Sequence, residues 1–177
     1  MKSTGVIRRV DDLGRIVIPK EIRRNLKIRD GDELEIFIDS DSVVLRKYSI
    51  INNEVNDVSK KIIDVVSSLL GKTVLVSDRD FFIVGSGDFK KNYVDKNISS
   101  FVNNIISDRK RVVEKNISEI SLIDGVIDNY SYIVYPIISY GDVIGSVILL
   151  SNNSVISDFD VNIINLISQF LGKYIED

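Results

Sequence analysis

The chain has 177 residues, 44% apolar and 28% charged, with 23 Lys and Arg against 26 Asp and Glu for a net charge of −3. That balance suits a globular core, and no apolar run approaches the ~20 residues a membrane span needs. The absence of both Cys and His excludes disulfides, thiolate and imidazole catalysis and the common zinc sites, leaving an enzyme only carboxylate, Lys or Tyr chemistry or an all-oxygen metal site, and no metal is expected.

The opening MKSTGVIRRV has no apolar h-region, so a secretory signal is not expected and a cytoplasmic protein is. Residues 4–10 alternate as a strand, with Val6, Arg8 and Val10 on one face and Ile7 and Arg9 on the other. Asp11-Asp12-Leu13-Gly14 reads as a turn, and residues 15–18 as a second short strand. Pro19 suits the first position of a helix in which Ile22 and Leu26 share a face. After the break at Asp30-Gly31, residues 33–39 alternate with Leu34, Ile36 and Ile38 inward, and a returning strand over 43–48 follows. Four short strands and one small helix lie below the size at which a single core stands comfortably alone. Without disulfides or zinc, the remaining stabiliser is a two-fold partner.

Residues 49–53 form a polar hinge, and residues 54–70 carry an apolar helical stripe (Val55, Val58, Ile62, Val65, Val66, Leu69) closed by Gly71. Residues 73–77 and 81–85 read as a hairpin, residues 94–107 as a helix, and residues 111–114 and 118–123 as strands. A long strand pair follows at 130–139 and 143–151, turning at Tyr140-Gly141-Asp142. Ser157 with Asp158 and Asp160 marks the start of a closing helix with Phe159, Ile163, Leu166, Ile167, Phe170, Leu171 and Tyr174 on its apolar side. This order predicts an α+β domain with an antiparallel sheet and flanking helices, packed on one face.

Charge divides the chain, at +2 over residues 1–50 and −5 over residues 51–177. Residues 2–29 alone hold nine basic side chains against three acidic ones, a local net charge of +6. The first 48 residues, through STG, VIRRVD, DLGR, VIPKEIRR and the closing LRKY, resemble the AbrB-type DNA-binding domain of transition-state regulators. Residues 51–177 resemble a GAF-type sensor domain more loosely, through element order and the hairpin PIISYGDVIGSVILLS. The expected domains are 1–50 for DNA binding, 51–55 as a short linker and 56–177 as the GAF-like domain.

The first resemblance implies a β-rich swapped-hairpin barrel, dimeric, with one short helix per chain. It further implies a transcriptional regulator of sporulation genes, in the cytoplasm on the nucleoid, bound to double-stranded DNA. Arg8, Arg15, Arg23 and Arg24 stand at the motif's DNA-contacting positions, with Arg9 and Lys20 as further candidates. Side-chain chemistry agrees, because the Arg fork fits phosphate and the guanine O6/N7 edge. Helices 54–70 and 158–175 are expected to pair between protomers and join two dimers into a tetramer. An unidentified small molecule could sit over the 130–139 strand beneath the loops at 85–96, where Tyr130, Tyr132, Tyr135 and Tyr140 alternate. Haem and bilin attachment commonly use His or Cys, which are absent. The GSGD run at 85–88 and the Asp78/Asp80 pair read as loop and turn rather than as phosphate cradle or catalytic dyad. Antitoxins share the VIPKEIRR-type barrel and form the alternative reading, but their toxin-binding tails are extended, whereas residues 54–177 carry cores and caps.

Overall fold

The computed structural model describes residues 5–47 and 53–176, and the chain divides into two compact units, residues 1–48 and 49–177. The first holds α1 (Lys20–Asn25), β1 (Leu34–Asp39) and β2 (Ser42–Lys47). Pro19, at φ −58° and ψ 149°, stands at the N-cap of α1 rather than inside it. The helix closes through Lys27, whose φ of 53° lets its own N–H reach Arg24 O (3.3 Å) and the Ile28 N–H reach Arg23 O (2.8 Å). That pair of bonds is a Schellman closure, built here without glycine.

β1 and β2 form an antiparallel hairpin with Ile36 opposite Leu45 and Ile38 opposite Val43. These four share one face, and all are exposed, Ile38 by 84%. The expectation that Ile36 and Ile38 point inward is therefore corrected: the period-two pattern marks a face to be covered, and a single chain brings no layer to cover it. The strands expected over residues 4–10 and 15–18 are likewise absent from 5–10 and 15–18. The arms are joined by an Asp11 N–H to Arg15 O bond of 3.1 Å, with the Gly14 N–H on Asp11 O at 3.0 Å. Alternation of side chains cannot supply a ladder partner, and this chain offers none along these residues. The hinge expected at 49–53 falls almost wholly outside the described residues.

The second unit runs α2 (Asn53–Leu70), β3 (Thr73–Ser77), β4 (Phe82–Ser86), a 3-10 turn at Lys90–Asn92, α3 (Ser100–Ser107), β5 (Val112–Ile120), β6 (Asp128–Ser139), β7 (Asp142–Ser151) and α4 (Asp158–Tyr174). Its five strands pair antiparallel in the order β4-β3-β7-β6-β5. Alternation sorts the sheet into two cores. Val74, Val76, Ile133, Val147 and Leu149 face α2 and α4, while Leu75, Tyr132, Val134, Ile148 and Leu150 face α3 and the 3-10 turn. Helices thus cover both faces rather than one. α4 lies so close to β6 that a Cβ on Gly172 would come within 2.1 Å of the Ile138 carbonyl oxygen.

Two boundaries differ from expectation. α3 starts at Ser100 instead of 94, because Ser99 caps it by accepting the Val102 N–H, while Phe82 and Ile98 spend residues 94–98 in bonds to Lys96 O and Asp80 O. The strands expected at 111–114 and 118–123 are one strand, β5, whose register shifts between Glu114 and Ser118.

A buried ion pair ties the end of α2 to the start of α4. Lys72 Nζ meets Asp160 Oδ2 at 2.7 Å, with the two side chains 9% and 2% exposed. The same carboxylate accepts the Ser157 N–H at 2.7 Å, completing the capping box of α4. Burial pushes the Asp160 carboxyl up, but Lys72 and Ser157 outweigh it and hold the group below its ordinary 3.8. A depressed pKa stabilises the fold above the unfolded value and the contribution disappears as pH falls through the folded one, so this pair is lost only below about pH 4. Asp160→Asn leaves Lys72 buried without its charge partner and should cost about 3 kcal/mol or more at neutral pH. Urea unfolding of the full chain at pH 7 and pH 3 checks this: the difference between variant and native chain should shrink in acid.

Candidate nucleic-acid interface

The acid-poor stretch takes its shape from two local devices. At the loop, Asp11 makes three side-chain hydrogen bonds: Oδ1 accepts the Leu13 N–H at 3.1 Å and the Arg15 N–H at 2.7 Å, and Oδ2 accepts Arg15 Nε–H at 2.7 Å. The Arg15 amide, then its guanidinium, hold the Asp11 carboxyl below the ordinary carboxylate range. Gly14, at φ 76°, makes the tight return that places Arg15 beside Asp11. At α1, the Schellman closure turns the chain sharply after a single helical segment, so Arg23 and Arg24 occupy the last turn of the helix.

Each candidate side chain reaches solvent or a shallow partner. Arg15 is 71% exposed despite its pair with Asp11. Arg8 backs onto its neighbour's carbonyl, with Nη1 3.0 Å from Ile7 O. Arg23 is half-buried and reaches Asp30 at 3.3 Å. Arg9, Lys20 and Arg24 are exposed and hold no ion pair among the described residues. Arg8, Arg9 and Arg15 therefore lie on the loop and its arms, and Lys20, Arg23 and Arg24 on the helix; among the described residues no ion pair joins the two groups. Arg46, on β2, is different in kind: its guanidinium stacks on the Phe37 ring at 5.0 Å. Sequence reasoning missed the Asp11–Arg15 pair, although an acid four residues before an Arg across a glycine turn was the available signal.

The second unit presents a different surface. Ile63 and Ile164, absent from the expected stripes, are fully buried in the sheet core together with Leu171, which the stripe of α4 included. The helices carry second stripes along their outer edges, Val58, Ile62, Val65 and Leu69 on α2 and Phe159, Ile163, Leu166, Phe170 and Tyr174 on α4; Ile62 and Ile163 still pack against the sheet core, while Val65, Leu69, Phe159, Leu166, Phe170 and Tyr174 are exposed. Leu69 and Leu166 are each 63% exposed. The spacing of four, three and four is that of a helix-pairing seam, and the two helices pack side by side on the same sheet face.

The space expected to hold a ligand over the 130–139 strand is filled. Phe82, Tyr93, Val102 and Ile106 are buried there against Tyr130 and Tyr132. The Tyr93 hydroxyl donates to Asp128 at 2.7 Å, and burial followed by that carboxylate pushes its pKa strongly up. The four tyrosines do not share a face: Tyr135 belongs to the opposite core, and Tyr140 sits in the β6–β7 turn bonded to Glu176. A polar cleft of about 270 Å³ lies elsewhere, between the end of α2, the loop after β4 and the end of β7, lined by Ser68, Gly71, Thr73, Asp88 and Asn152. The GSGD run ends at that cleft as a loop, with Gly87 at φ 102° pressed on Thr73.

Comparison with known proteins follows this division. Residues 54–176 match the family described as stage V sporulation protein T C-terminal, transcription factor. Residues 7–51 match the family of antidote-toxin recognition MazE, bacterial antitoxin. Across 99% of both chains the protein is 42% identical to stage V sporulation protein T of Bacillus subtilis. Over 48 residues, 27% of this chain and 50% of the relative, it is 56% identical to the transition state regulatory protein AbrB of Bacillus subtilis. A GAF domain/HD domain protein from Geobacter sulfurreducens superposes with a TM-score of 0.55 at 17% identity, over 68% of this chain and 91% of that one. This last likeness gives the second unit a GAF-type fold, as its element order implied.

The Schellman closure yields a stability test. Lys27 holds a left-handed conformation that costs a side-chain-bearing residue about 1–2 kcal/mol. Lys27→Gly should raise the stability of the first unit by roughly 0.5–1 kcal/mol, read as a higher urea midpoint with an unchanged m-value.

Proposed function

The chain belongs to the stage V sporulation protein T family, and from that premise we propose how its two units divide the work of a DNA-binding transcriptional regulator of sporulation. The first unit holds double-stranded DNA through Arg8, Arg15, Arg23 and Arg24, with Arg9 and Lys20 adding charge at its edge. The observation that carries this reading is the +6 stretch over residues 2–29, in which Arg9, Lys20 and Arg24 are exposed without an ion pair among the described residues and Arg15 stays 71% exposed beside Asp11. Guanidinium groups there can fork to phosphate oxygens or to a guanine edge. An extended basic surface reads DNA shape and deformability together with base edges. The protein acts on the nucleoid, in the cytoplasm.

A second copy completes the first unit. The exposed face of Ile36, Ile38, Val43 and Leu45 and the unladdered arms around Asp11 both lack what a partner chain would supply, namely a covering layer and a backbone to pair with. Burying one such apolar side chain contributes on the order of 1.5–3 kcal/mol, and four per chain are enough to drive obligate association. The seams on α2 and α4 then join two dimers into a tetramer, so that the GAF-like unit works as an assembly domain. A small-molecule ligand fits this unit at the polar cleft better than over β6, where side chains occupy the space. An antitoxin role is the second reading, favoured by the match over residues 7–51. It would need a toxin-binding tail where this chain has a packed domain, and co-purification with a small toxic protein would support it.

Two measurements test the reading. Replacing any one of Arg8, Arg15, Arg23 or Arg24 by Ala should weaken DNA binding without loss of the dimer. An arginine that meets only phosphate should flatten the slope of log K against log salt by roughly 2 per dimer, whereas one that reads a base should cost ~1–3 kcal/mol per copy. Arg46→Gln should change affinity little, and equal losses at Arg46 and Arg15 would mean that charge acts diffusely. For assembly, Leu69→Asp combined with Leu166→Asp should convert tetramer to dimer in sedimentation velocity. A native chain that sediments as a dimer at every concentration would remove the tetramer.

A further inference from the structure

We infer that Asp11, a carboxylate in the middle of a surface built to meet DNA, is a positioning residue that fixes the Arg15 guanidinium so that its free edge grips a pair of adjacent acceptors on DNA. This rests on the reading of Arg15 as a DNA contact.

The geometry assigns every Asp11 oxygen to this task. Oδ1 holds the Arg15 and Leu13 amides, and Oδ2 takes Arg15 Nε–H at 2.7 Å. The Asp11 N–H bonds back to Arg15 O, and the Gly14 N–H to Asp11 O, so the backbone between them is closed on itself. Arg15 thereby keeps its charge and loses its swing. Nε is spent, while Nη1 and Nη2 have no partner among the described residues on a side chain that is 71% exposed. Those two nitrogens present parallel donors in the planar fork that fits a guanine O6/N7 edge or two phosphate oxygens. A side chain already held in one rotamer loses less freedom on binding.

The electrostatic cost makes the assignment testable. A carboxylate close to a polyanion opposes binding, so by charge alone removing it should tighten DNA binding of every sequence. Positioning predicts the opposite for a specific site. Asp11→Asn is the suitable change, because the amide oxygen can still accept the Leu13 and Arg15 N–H groups while the charged grip on Nε is lost.

The probe is a duplex that the native full-length chain enriches from a random-sequence library, with a shuffled duplex of the same composition beside it. Affinities are measured across a salt series for the native chain, Asp11→Asn, Arg15→Lys and the double variant. Asp11→Asn should lower the ratio of selected to shuffled affinity by roughly tenfold, with shuffled binding unchanged or tighter. If Arg15 grips only phosphate, both duplexes should weaken together and the salt slope should flatten, which still supports positioning and assigns the acceptor. In the Arg15→Lys background, which has charge but no fork, Asp11→Asn should have almost no effect. Tighter binding of both duplexes by Asp11→Asn, or an effect of equal size in the lysine background, overturns the inference and leaves Asp11 as a loop residue. If Arg15→Lys behaves as the native chain does, the reading of Arg15 itself has failed.

Discussion

Apolar surface that one chain cannot cover is the constraint on which the first unit depends. Its hairpin places Ile36 against Leu45 and Ile38 against Val43 on a common face, and among the described residues no further layer removes that face from water. A core of this size has few ways to become stable, and the composition has closed two of them by omitting Cys and His. What remains is the second copy proposed above, from which the proposed DNA surface would inherit two-fold symmetry. Binding and folding are then one problem: the arms that carry Arg8 and Arg15 are the segments that lack a ladder partner.

The second unit solves the opposite problem. Its sheet is covered on both faces, and the pair Lys72–Asp160 locks the end of α2 to the capped start of α4. A buried pair of this kind adds little net stability over an apolar substitute, but it penalises any arrangement that separates the two charges. It therefore fixes where α4 begins, and with it the direction of the seam containing Phe159, Leu166 and Phe170. This GAF-type fold fills its sheet face with Phe82, Tyr93 and Tyr130 and so leaves no room for a ligand there, which agrees with the proposed assembly role of the unit.

Charge and order are coupled in the basic stretch. Arg9 and Arg24 hold no ion pair among the described residues, which suits the sequence-independent attraction to phosphate. Arg15 is drawn onto Asp11 at the loop, and Arg23 reaches Asp30. If Arg15 meets DNA as proposed, the acid beside it separates a side chain that is aimed from ones that are merely charged.

The sequence alone determined a good deal. The nine basic residues against three acids, the Gly14 turn, the Pro19 helix start and the Ser157 cap are local signals, each written in adjacent residues, and each element they mark is present. The long β6–β7 pair was equally legible, because two apolar runs flank the turn at Tyr140-Gly141-Asp142; the register shift between Ile137 and Ile138 was not. What the tertiary structure decided is everything that depends on a partner. The stripes of α2 and α4 each read as one apolar band, yet packing split them: Val66, Ile167 and Leu171 go to the sheet, joined by Ile63 and Ile164 from outside the stripes, and Leu69 and Leu166 turn away from it. Helical periodicity gives the angle of a side chain around its axis, not which neighbour lies in that direction. For the same reason residues 5–10 and 15–18 alternate like strands without being strands in one chain, since a ladder is a bond between two backbones and the sequence specifies only one of them.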